Sequence, residues 1–142
     1  YEKKIAEIFD WVHTVDSIKV AKKLNAARPI SKGPLNVCLQ LNIDYEETKS
    51  GLNEIELEEF LDRTKNLENI KIRGLMVIPK PRKSLEEQKK VFRAVKEIYL
   101  SLNNKGSNFD SLSMGMTSDY AAAIQEGATM VRIGTGIFGP RK

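Results

Sequence analysis

SLSMGMTSDYAAAIQEGATMVRIGTGIFG, residues 111–139, reads as strand, polar turn, short helix, strand and glycine-rich turn. Residues 112–116 are an apolar run too short for a helix, and Thr117, Ser118 and Asp119 supply oxygens suited to an N-cap. Residues 119–126 have the alanine content of a helix, which Gly127 is placed to end in a left-handed cap. Residues 130–133 form a second apolar strand with one charge, Arg132, and run straight into Gly134-Thr135-Gly136. Two strand ends followed by small or hydroxyl residues can turn N–H groups and hydroxyls toward one point. Proteins hold a phosphate in this way without using a lysine.

Working back from this stretch, the same alternation recurs. The patterning predicts helices over 2–10, 18–27, 54–66 and 85–102 and strands over 11–15, 36–43 and 70–78. Asp16 and Ser17 precede the second helix as caps, and Ser84 with Glu87 forms a capping-box pattern before the long one. In the 36–43 strand, Val37, Leu39, Leu41 and Ile43 share one face, and Cys38, Gln40 and Asn42 the other. Strict β-α alternation with short apolar strands indicates a parallel sheet covered by helices.

An open doubly wound sheet and a (β/α)8 barrel share that alternation. A full barrel takes about 250 residues, roughly 31 per unit, so a chain of 142 residues holds about the last five units if the barrel reading is right. The polar strand face and Arg132 favour the barrel, whose mouth offers a charged residue a ligand to pair with. Phosphate sites in such barrels commonly lie in the loops after strands 7 and 8, beside a short extra helix that residues 135–138 could supply. The expected organisation is one domain over 1–142, the C-terminal part of a barrel. The chain opens on Tyr1 in a helical pattern, so further residues are expected upstream.

Composition excludes several classes. The net charge of +4 is spread over scattered lysines with no basic block interleaved with aromatics, so no nucleic-acid partner is expected. Cys38 is the single cysteine, which fits a reducing, intracellular compartment. No long apolar span appears, and no membrane association is expected. Metal-ligand spacings, a serine-histidine-aspartate set and a Walker loop are all absent from the sequence.

The segment SLSMGMTSDYAAAIQEGATMVRIGTGIFG resembles the signature of the pyridoxal-phosphate homeostasis protein family (YggS/PROSC-type), which is similar to the barrel domain of alanine racemase. The resemblance extends through residues 11–17, 37–42 with Gln40 and Asn42, Lys49-Ser50-Gly51 and Arg73-Gly74-Leu75-Met76, essentially the whole chain. It implies a binder of pyridoxal 5′-phosphate (PLP) that buffers or delivers the cofactor without an established reaction. It further implies a cytoplasmic protein (with a mitochondrial location also open), monomeric when intact, with PLP-dependent apo-enzymes as recipients. Carried over, Thr117, Gly134 and Thr135 hold the phosphate, with Ser118 as fallback donor, and Arg132 approaches the ring. The family usually has serine where this chain has Thr117, a change that keeps the hydroxyl. The lysine with which the family holds the cofactor aldehyde, on the first barrel strand, has no counterpart here, so no catalytic residue is assigned and weak binding is expected.

Each residue also has a plainer reading. Thr117 could be only an N-cap, Gly134 and Thr135 only turn residues, and Arg132 the partner of a barrel carboxylate. Asn42 and Met76, near strand ends, could line the ring pocket or pack the core. His13 is the sole histidine and is expected to be structural. Lys80, Arg82 and Lys83 could attract an anion, but a solvated loop is the expectation. Two rival functions remain. One is a PLP enzyme of the alanine-racemase type, disfavoured because that family continues into a β-rich domain with a catalytic tyrosine while this chain runs three residues past Gly139. The other is a general phosphate-ligand-binding barrel.

Overall fold

A computed structural model of the chain describes residues 1–47 and 50–139; Thr48, Lys49 and residues 140–142, including part of the Lys49-Ser50-Gly51 motif, lie outside the described residues. The elements are α1 (Glu2–Ile8), β1 (Trp11–Val15), α2 (Ile18–Ala27), β2 (Leu35–Leu41), α3 (Glu54–Thr64), β3 (Ile70–Val77), α4 (Leu85–Asn104), β4 (Ser111–Met116), α5 (Tyr120–Gln125), β5 (Met130–Arg132) and α6 (Thr135–Phe138). The strands form one parallel sheet in chain order, each paired with its sequence neighbours.

Local chemistry sets most of these boundaries. Ser17 caps α2 by accepting the Val20 N–H, and Ser84 caps α4 by accepting that of Glu87. Asn53 and Glu56 form a reciprocal capping box at α3. Gly127, at φ +101°, takes the left-handed position after α5. One expectation needs correcting. Asp119 stands at the N-cap of α5, yet no side chain caps that helix; its Oδ1 accepts the Met116 N–H at 2.8 Å and closes the polar turn on itself.

One face of the sheet is the core. Val15, Val37, Leu39, Leu75, Leu112 and Met114 are buried there against Leu24, Leu57, Phe92, Val95 and Ala123 of the helices. The opposite face carries Trp11, His13, Asn36, Cys38, Gln40, Arg73, Met76, Ser113 and Arg132, and it is concave. His13 on β1 and Ser113 on β4 meet at 3.1 Å (Nδ1 to Oγ). Strands three apart in a flat sheet lie about 14 Å from each other, further than these two side chains can span. The sheet therefore curls as part of a barrel wall.

Close approach of β3 and β4 contributes to that curl. A Cβ on Gly74 would fall 1.6 Å from the Ser111 carbonyl oxygen, so only glycine fits. Beside it, Arg73 donates to both carboxylate oxygens of Asp110 and to Asn36 Oδ1, and its guanidinium lies over the Trp11 ring. This network ties β1 to β4 at the N-terminal ends of the strands. Arg73 holds the Asp110 carboxyl down at about 2. At the other edge of that end, buried Arg28 donates to the carbonyls of Ala6 and Phe9 and so anchors α1 on α2.

Candidate functional site

The residues singled out in 111–139 converge at the C-terminal ends of β4 and β5. The Thr117 hydroxyl, freed from capping, accepts the Gly136 N–H at 3.1 Å and clips the turn after β4 to the turn after β5. The two turns touch: a Cβ on Gly136 would lie 3.0 Å from Thr117 Cγ2 and from Ile133 Cγ2. Gly134 precedes the single turn α6, whose first residue is Thr135, and both are exposed. Ser118 is also exposed, at the rim of a cavity of about 240 Å³ between the 77–81 and 115–119 segments. Gly115 sits behind it at φ +104°, with α5 so close that a Cβ would meet that of Ala123 at 2.7 Å.

Arg132 leaves β5 on the concave face. Its Nη2 donates to the Val77 carbonyl at 2.8 Å, and its Nη1 lies 3.0 Å from Met76 Sδ. Its Nε is buried and has no partner in the structure. The expected alternative, pairing with a barrel carboxylate, is not what the structure shows. Burial lowers the pKa of the group, with Asp119 opposing that shift, and a guanidinium so placed stays charged. Met76 is 1% exposed and serves as the wall on which Arg132 rests.

Other sequence candidates fall elsewhere. The Asn42 amide is engaged on both sides, donating to the Glu46 carbonyl and accepting the Glu46 N–H, so it closes the loop after β2. Arg82 makes a two-nitrogen contact with Asp44, and Lys80 lies 3.9 Å from Glu46, so this basic loop is braced by carboxylates. His13 is half-buried, and burial together with the nearby Arg132 charge lowers its pKa from 6.5. Among the described residues, no cluster of histidine, cysteine or carboxylate side chains could hold a metal ion, and no helix is long and apolar enough to cross a membrane. The Arg73–Asp110 and His13–Ser113 contacts escaped the sequence reading. Their only signal was a polar residue on the same strand face as Cys38 and Gln40.

A partial barrel wall with a hydroxyl–glycine clip at its C-terminal rim, beside a guanidinium that has no contact carboxylate among the described residues, is the frame of a β/α-barrel protein. The family model for the alanine racemase N-terminal domain matches residues 2–142, and the chain belongs to that family. Within it, the chain is 47% identical over 139 residues to the pyridoxal phosphate homeostasis protein of Pseudomonas aeruginosa, covering 98% of this chain and 59% of the relative. It is 44% identical over 137 residues to the protein of that name from Escherichia coli K12, covering 96% and 58%. The chain thus spans just under three-fifths of the length of these curated relatives. The structure of PipY from Synechococcus elongatus with PLP bound superposes with a TM-score of 0.86 at 32% identity, over 97% of this chain and 65% of that one. D-threonine aldolase from Filomicrobium marinum, at TM-score 0.70 and 15% identity, shares the fold.

Proposed function

We propose that the chain forms the phosphate and ring side of a PLP site in a cofactor-homeostasis protein that has no catalytic reaction of its own. In this reading residues 1–142 are the C-terminal part of one barrel domain. The intact protein is a cytoplasmic monomer that passes the cofactor to PLP-dependent apo-enzymes. Relatives named for PLP homeostasis and the PLP-bound PipY structure support the ligand. The observation that carries the proposal is Arg132, which has no contact carboxylate among the described residues and whose buried Nε lacks an acceptor there, beside the Thr117–Gly136 clip.

These residues fit the cofactor. Thr117, Ser118 and the 134–136 turn offer hydroxyls and N–H groups to a phosphate dianion, and Arg132 offers a donor to a ring nitrogen. When bound, PLP supplies an electrophilic carbon and an electron-accepting ring. A guanidinium facing the ring nitrogen discourages its protonation and so weakens that electron sink. This suits carriage of the cofactor better than a transaminase-type reaction.

Pyridoxine 5′-phosphate, which lacks the aldehyde and cannot react with surface lysines, provides the test. Its expected Kd, without a covalent anchor, is on the order of 1 mM, weak enough to require NMR titration. Shifts should centre on the amides of Thr117, Gly134, Thr135 and Gly136. Pyridoxine without phosphate should bind about tenfold more weakly, and Arg132→Gln should lose about tenfold. A sugar phosphate binding equally well would instead support a general phosphate-binding barrel. Shifts elsewhere would remove the site altogether.

A further inference from the structure

Helices α3 and α4 follow neighbouring strands, yet they do not pack on each other as α1 does on α2, α2 on α3 or α4 on α5. Between them runs an open groove of about 860 Å³. Its floor is aliphatic, made by Ile43, Val91, Ala94, Ile98 and Leu102, and Ile55, 80% exposed, stands on the α3 wall. The lining residues along α4 run from Glu87 to the C-cap Lys105, a length of roughly 27 Å at helical rise. The two long walls are helices, whose backbone groups are bonded internally, so they offer no strand edge to pair with. What it offers is side-chain packing, the form that seats one face of a helix.

The charges specify the flanks of that helix. Arg82 is tied to Asp44, and Lys105 bridges the walls to Glu58. Among the described residues, Glu54, Glu87 and Glu97 also line the groove without a contact ion pair, although Glu87 lies in the field of Arg82 and Glu97 in that of Arg93, and Lys90 is the one lining ammonium without a contact partner. We propose that this groove is a docking site for an amphipathic helix of a partner protein, with aliphatic residues at i, i+3 or i+4, and i+7 on the seated face and lysine or arginine on its flanks. A second copy of this chain fits less well. A two-fold, groove-to-groove interface would bring the excess carboxylates of both copies into one patch.

The test uses the whole chain and two fluorescein-labelled synthetic peptides of about five helical turns. Both carry leucine at the seated positions; one has lysine flanks and the other glutamate flanks. Fluorescence anisotropy should show the lysine peptide binding at least about tenfold more tightly than the glutamate peptide. Ala94→Arg, which fills the floor, should abolish binding with an unchanged circular dichroism spectrum. The double reversal Glu54→Lys with Glu97→Lys should invert the preference between the peptides. The proposal is overturned by equal binding of both peptides, by no binding, or by binding that Ala94→Arg leaves intact. It is also overturned if sedimentation shows a dimer that Ala94→Arg dissolves, which would assign the groove to a second copy.

Discussion

At the scale of single residues, Arg132 and His13 form a linked pair of charge states on the concave face. His13 is kept below its ordinary pKa first by burial and then by the Arg132 charge. The unfolded chain therefore binds more protons than the folded one once the pH drops below about 6.5. Stability contributed by neutral His13 is present above that value and is lost as the pH falls through the folded pKa. His13 is the only histidine, so its ring signals can be followed alone by NMR. Arg132→Gln is expected to raise its pKa back toward 6.5, and saturation with pyridoxine 5′-phosphate should move it the same way by bringing a dianion to that end of the barrel. No change in either titration would mean that Arg132 does not act on the concave face. The same residues show where sequence reading stops. A charged residue beside a glycine turn was visible in 130–136. Its rest on Met76 and Val77 was not, because those partners lie more than 50 positions away, 56 and 55.

At the scale of elements, glycines divide into those the fold requires and those left open for another use. Gly74→Ala must push β4 away from β3, because the added Cβ would collide with backbone and not with a yielding side-chain tip. A loss of at least about 3 kcal/mol, or failure to fold, is expected in urea denaturation. Gly134→Ala is the contrast. A Cβ there meets nothing within 4 Å and the residue has φ −105°, so the change should stay within about 0.5 kcal/mol. A large loss at Gly134 would show that the turn is needed for the fold itself. Element boundaries were legible because each is written locally, in Ser17, Asn53, Ser84 and Gly127. The polar turn at 117–119 misled for the same reason. Local sequence cannot tell a hydroxyl that caps its own helix from one that reaches the next loop.

At the scale of the molecule, the curled sheet has, among the described residues, two unpaired edges, β1 and β5, each bonded on one side only. Exposed Ile8 and Phe9 precede β1 in the chain, and Ile137 and Phe138, 68% and 85% exposed, follow β5. Open strand edges flanked by apolar side chains template pairing with other chains. Residues 1–142 by themselves are therefore expected to self-associate, with a light-scattering mass that rises with concentration on size exclusion. A sharp monomer peak whose mass stays constant as concentration rises would contradict this.

The sequence by itself determined the β-α alternation, the parallel order of strands, the helix caps and the stretch at 111–139 that holds the candidate site. All of these follow from periodicity and short-range chemistry, and the motif resemblance drew on the same local signals. Only the tertiary structure decided which residues the curl of the sheet brings together, that Thr117 clips two turns together and that Arg132 has no carboxylate partner among the described residues. It also left a groove between α3 and α4. These features depend on contacts between residues far apart in the chain, such as His13 with Ser113. Such contacts exist only once five strands have been brought side by side.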